Sequence, residues 1–159
     1  MTIYAIDPGP VKSALVTLHD DGTVEASTWP NQDLHAILAT ADPGILVIEM
    51  IASYGMPVGA EVFQTCVWIG RFYDTWDGHG VNRQTATSLT RLQVKSAICH
   101  SGKANDANIR AALIDRFGGP SCIRKGGALY KVKGDEWAAL AVACAYRDAA
   151  KEKANVDCA

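Results

Sequence analysis

Two short apolar runs, Ile3–Ile6 and Ile45–Ile48, each lead straight into a carboxylate, Asp7 and Glu49. Runs this short, β-branched and apolar at consecutive positions, suit strands buried on both faces. Pro8 and Gly9 turn the chain directly after Asp7. An isolated Asp-Pro-Gly also suits a plain turn opened by its aspartate, so Asp7 gains weight only beside Glu49. A glutamate inside the run Ile45–Ile51 is costly unless its charge is compensated. Lys12 and Arg71 are the only basic residues before His79, which leaves few partners for a purely structural ion pair.

The intervening pattern places these two strands. Lys12–His19 alternates, Asp21-Gly22 is a strong hairpin signal, and Thr23–Thr28 follows as a third strand. Asn31 or Asp33 can cap a short helix through Ala39, with Leu34, Ile37 and Leu38 inward, before Pro43-Gly44 ends the unit. Ala52–Gly59 reads as a loop with Tyr54 and Met56 at its tip. Glu61–Trp76 reads as a long helix, with Val62, Phe63, Cys66, Val67, Gly70, Tyr73 and Trp76 near helical spacing and Trp68 and Phe72 elsewhere on the wheel. Apolar residues on more than one side imply burial against a partner as well as the core.

Val81–Thr85 is expected as a fifth strand, followed by helices over Leu89–His100 and Ala104–Phe117. The glycine-rich stretch from Gly118 to Gly127 is expected to be a mobile loop, and Asp135–Ala150 an alanine-rich helix. The whole is an α/β domain spanning 1–159. It has a mixed five-stranded sheet, a meander plus the Ile45 strand parallel to the first, flanked by helices.

Five cysteines without a C-x-x-C pair argue against disulfides or structural zinc and for a reducing interior; Cys66 and Cys144 read as core. His19, His35, His79 and His100 share no ligand-like spacing. No apolar stretch approaches the ~20 residues of a membrane span, and no signal region opens the chain, so the expected location is cytoplasmic, in a bacterium or a phage-infected host. Net charge is −2, yet residues 1–79 balance at −8 and residues 80–135 at +7, from ten basic and three acidic residues. Such asymmetry points to a polyanionic partner.

If the Ile45 strand lies beside and parallel to the first, Asp7 and Glu49 emerge at neighbouring strand ends. Two carboxylates about 4 Å apart repel by about 4 kcal/mol at an effective dielectric of 20, so one takes a proton or a cation sits between them. Oxygen-only ligands favour Mg²⁺ or Mn²⁺, and two such ions can activate water and stabilise the leaving oxygen in phosphodiester cleavage. Asp135 offers a third carboxylate, though an aspartate after Gly134 at a helix start is also an ordinary N-cap.

Four segments, Ala5-Ile-Asp-Pro-Gly9, Leu46-Val-Ile-Glu49, Gln93-Val-Lys95 with Gly102-Lys103, and Asp135–Ala143, occur in the order of a known family. The chain resembles a RuvC-type Holliday junction resolvase of the RNase H-like (retroviral integrase) superfamily, of phage or prophage kind. The resemblance implies an RNase H-like fold and a metal-dependent endonuclease that resolves four-way DNA junctions, using two Mg²⁺ or Mn²⁺ ions. It puts the catalytic acids on Asp7, Glu49 and Asp135. It gives Lys95 and Lys103 a place near the scissile phosphate. The family's fourth acid falls on Ala138, three residues after the third, and Glu136 is the nearest substitute as a metal ligand.

The resemblance further implies a homodimer through the Glu61–Trp76 helix, and a loop at Ser53–Pro57 that probes the junction centre with Tyr54 and Met56. DNA contacts are expected from Arg83, Arg91, Lys95, Lys103, Lys125, Lys131 and Lys133. No nucleotide cofactor and no membrane partner is expected. A catalytically impaired junction-binding protein, and an RNase H-like nuclease acting on other branched or hybrid substrates, remain as alternatives. A phosphotransferase of the actin and sugar-kinase kind would need two such lobes, and the chain has room for one.

Overall fold

A computed structural model describes residues 1–53, 55, 57–78 and 85–157, with residue 157 by its backbone only. Five strands form one sheet in the order β3-β2-β1-β4-β5. They are β1 (Ile3–Asp7), β2 (Lys12–Leu18), β3 (Val24–Pro30), β4 (Ile45–Met50) and β5 (Thr87–Thr90). β1 is antiparallel to β2 and β2 to β3, which is the expected meander, while β1–β4 and β4–β5 are parallel. The helices are α1 (Asn31–Thr40), α2 (Ala60–Gly78), α3 (Arg91–Cys99), α4 (Asp106–Arg116) and α5 (Glu136–Asp157), with a 3₁₀ turn at Gly119–Ser121.

Both sheet faces are covered, which is why β1 and β4 read as unbroken apolar runs. On one face Ala5, Val16 and Val47 pack with Val94, Leu113 and the Ala139–Ala145 stretch of α5. On the other face Ile6, Leu46 and Ile48 pack with Leu34, Leu38, Ile69, Phe72 and Trp76. Among the described residues no helix is long and apolar enough to cross a membrane.

Several local expectations change. Val81–Gln84 lie outside the described residues, and the fifth strand is Thr87–Thr90. The next helix therefore starts at Arg91 rather than Leu89, because Thr90 caps it in a capping box with Gln93. Neither Asn31 nor Asp33 caps α1: Asn31 is the first helical residue and is buried, with its side chain bonded elsewhere. The buried stripe of α2 is Thr65, Ile69, Phe72, Thr75 and Trp76, not the one through Phe63 and Val67. Two threonines hide that stripe from a hydropathy reading. Each is satisfied when buried, Thr65 by donating to the Glu61 carbonyl and Thr75 by pairing with His35. Cys66 is exposed rather than core, whereas Cys144 is buried and its thiol is pushed up to about 11 by that burial.

Candidate active site

The parallel pairing of β1 with β4 runs in register from Ile3↔Ile45 to Ile6↔Ile48, so the next residues, Asp7 and Glu49, stand side by side at the strand ends. They share strand parity with Ala5 and Val47, which places both on the α5 side of the sheet. The turn after Asp7 is fixed by a buried network. The Gly9 amide donates to Ser13 Oγ (3.2 Å), Ser13 Oγ donates to Asn31 Oδ1 (2.6 Å), and Asn31 Nδ2 donates to the Gly9 carbonyl (2.9 Å). A Cβ at position 9 would lie 2.4 Å from the Lys12 carbonyl oxygen, so only glycine passes there. Asp7 is thus carried on a short, rigid element.

Asp135 immediately precedes α5, and with Asp7 and Glu49 it lines a cavity of about 300 Å³. Two of the pocket's acids, Asp7 and Glu49, are poorly solvated. Burial first, then the charges of Glu49 and Asp135, push the Asp7 carboxyl up to about 7, against the opposing pull of Arg91. Burial likewise raises Glu49, opposed by Arg91 and, more weakly, by Lys95. Arg91 Nη1 donates to Glu49 Oε2 at 3.2 Å, and its other terminal nitrogen bonds Asp106 Oδ1. Burial works against the Arg91 charge, but Glu49 and Asp106 outweigh it, so the guanidinium is held firmly charged.

Glu136 does not join this group. It is fully buried, accepting from Thr28 Oγ1 (3.1 Å) and from the Lys133 backbone amide (2.9 Å). One residue along a helix is about 100° around it, and that rotation sends Glu136 under β3 while Asp135 faces the cavity. Ala138 lines the cavity and brings no acid. Asp106 brings the fourth carboxylate instead, from the first turn of α4. Sequence alone gives Asp106 no distinction, since an acid in the first turn of a helix is common for reasons of the helix dipole. Arg91, expected only as a DNA contact, lies inside the pocket.

The lysines divide. Lys95 sits one turn after Arg91 on α3 and acts electrostatically on Glu49. Lys103 is exposed and lines a separate cleft with His100, Asn108 and Asp115. Lys125, Lys131 and Lys133 are exposed on the segment that enters Asp135. That segment is a chain of turns rather than an open loop, anchored by buried Cys122 and Leu129, with the Leu129 amide donating to the Cys122 carbonyl at 2.8 Å. Arg110 stacks on Trp137 beside the pocket, 4.9 Å from the ring centre. Tyr54, Met56 and Arg83 lie outside the described residues.

In chemistry the donor set suits a hard divalent cation, being oxygen-only and short of positive charge. As they stand, no three acidic, histidine or cysteine side chains among the described residues converge closely enough to hold an ion. Glu49 is engaged by Arg91.

No family model and no curated protein matches the sequence. Solved structures do. RuvC of Thermus thermophilus superposes with a TM-score of 0.70 at 17% identity, covering 96% of this chain and 97% of that one. The same protein in complex with Holliday junction substrate gives 0.73 at 17%, covering 96% of each. The yeast mitochondrial Holliday junction resolvase Ydc2 gives 0.61 at 14%, covering 91% of this chain and 76% of that one. The chain therefore has the RuvC fold, the mixed five-stranded RNase H-like architecture expected from its strand order.

Proposed function

We propose that residues 1–159 form a divalent-metal-dependent endonuclease that cuts four-way DNA junctions by phosphodiester hydrolysis. The observation that carries this reading is the register of β1 and β4, which sets Asp7 beside Glu49 in a cavity shared with Asp135. The likeness in fold to a protein solved with a Holliday junction supports a branched-DNA substrate. Asp7, Glu49 and Asp135 would hold one or two Mg²⁺ or Mn²⁺ ions. Bound there, an ion would supply Lewis acidity at a phosphate oxygen and a more acidic water.

The chain's own groups do the rest. Burial of Asp7 and Glu49 lowers the local dielectric, so their charges orient a cation more strongly than exposed acids would. Lys95, next to Glu49, positions the scissile phosphate, while Lys103, on its separate cleft, binds a DNA arm. Lys125, Lys131 and Lys133 follow the phosphates leading to the pocket. Two strands of a four-way junction must be cut symmetrically, and the outer face of α2 offers a dimer interface: Phe63 is 62% exposed and Val67 57%.

The test is a synthetic four-way junction incubated with the protein and Mg²⁺. Paired, symmetric nicks are expected, and their absence under conditions where the junction is bound rejects the nuclease. Ala138, on the cavity wall without an acid, favours one second reading, a junction-binding protein that does not cleave. Binding without nicks is the result it predicts.

A further inference from the structure

Three acids suffice for the proposed ion site, yet the pocket also contains a guanidinium with two anionic partners of different character. Glu49 is 14% exposed, so its charge needs a near neighbour; Asp106 is 83% exposed and is well solvated without one. Arg91 spans the two, and an arginine cannot lose its charge to make way for a cation. Four carboxylates and one guanidinium leave the pocket at −3 with every acid ionised. Removing Arg91 would leave Glu49 buried beside Asp7 with Lys95 as its remaining favourable charge.

Resting on the metal-dependent reading above, we propose that Arg91 is a resident counter-ion that occupies Glu49 before the divalent ion arrives. Asp106 is the residue onto which it withdraws. Ion entry requires the guanidinium to give up Glu49, and its second bond to Asp106 keeps it in the pocket, close to where a phosphate oxygen would lie. Arg91 is then a positioning residue that sets metal affinity, and Asp106 acts through Arg91 rather than on the ion. The bridging is a property of the planar fork, which a lysine of equal charge lacks.

The test is calorimetric titration of the full chain with Mn²⁺ in the absence of DNA. Arg91→Gln should bind Mn²⁺ about five- to tenfold more tightly than wild type, because a competitor has gone. Arg91→Lys should gain part of that increase although it keeps the charge; equality with wild type would reduce the effect to general repulsion and overturn the proposal. Asp106→Asn should weaken binding about threefold, since Arg91 then rests on Glu49 alone. Combined with Arg91→Gln, it should bind as tightly as Arg91→Gln by itself. A double variant that stays weak makes Asp106 a direct ligand and overturns its role as the resting place of Arg91.

Thermal melting supplies a second readout. In EDTA, Arg91→Gln should melt below wild type, and saturating Mn²⁺ should raise its midpoint by more than it raises that of wild type. Equal rises count against the counter-ion. A wild-type chain that binds no Mn²⁺ overturns the metal-dependent reading itself, whereas wild-type binding unchanged in Arg91→Gln overturns only the counter-ion.

Discussion

The acid pocket and the outer face of α2 are both poorly matched to water, and in opposite ways. In the pocket, Asp7, Glu49, Asp106 and Asp135 share one guanidinium, and burial first, then the neighbouring carboxylates, holds the Asp7 carboxyl raised. On α2, Phe63 and Val67 leave apolar surface in water while the opposite stripe fills the core. Surplus negative charge calls for cations; surplus apolar area calls for another apolar surface. The pocket is carried on rigid strand ends and is almost fully determined by the fold. The α2 face is determined only by what the core left outside.

The difference can be broken at either end. Asp7→Asn should have the largest effect, reducing junction cleavage by at least about a thousandfold through loss of electrostatic and metal-site stabilisation. Junction binding, followed by gel shift, should persist or tighten. Phe63→Glu should act on the other region, weakening self-association about a hundredfold as read by sedimentation velocity, by burying a charge in an apolar contact. Should Phe63→Glu leave the association state unchanged, the α2 face is not the interface.

Asp7 also gives a pH signature. Its carboxyl titrates near 7 when folded and near 3.8 when unfolded, so between those values the folded chain holds the extra proton. Metal-free stability must then fall as pH rises from about 4 to 7 and stay lower above that. Asp7→Asn should be the more stable chain at pH 8, by on the order of 2–4 kcal/mol, and should converge with wild type near pH 4. Urea melts in EDTA at the two pH values measure it, and parallel curves at both would remove the crowding.

Glu136→Gln should separate two adjacent acids. It should cost about 1–3 kcal/mol of stability through its buried contacts with Thr28 and Lys133, with Mn²⁺ affinity unchanged. Smallest of all, Lys131→Ala should reduce the slope of log affinity against log salt by about 0.9, with the cleavage pattern intact.

Much of this was legible before any coordinates. Apolar runs ending in Asp7 and Glu49 suited covered strands, and Asp21-Gly22 signalled the meander, so the sheet followed from pattern. What pattern missed depends on rotation and on polar burial. Thr65 and Thr75 fall outside the expected apolar stripe because a hydroxyl counts as polar, yet both face the core, Thr65 bonded to the Glu61 carbonyl one turn back and Thr75 paired with His35 of α1. Glu136 reads as a spare ligand because it is next to Asp135, yet one helical step turns it under β3. Asp106 comes from a separate helix, and only the packing of α3 and α4 on α5 brings it to Arg91.

Diffraction from crystals grown with Mn²⁺, with the anomalous signal of the ion recorded, tests the pocket most directly. The expected peak lies among the oxygens of Asp7, Glu49 and Asp135, at about 2.0–2.2 Å from at least two of them, with the Arg91 guanidinium moved off Glu49. A peak elsewhere, or none at saturating Mn²⁺ with Arg91 still on Glu49, would contradict the assignment of these acids as a nuclease centre.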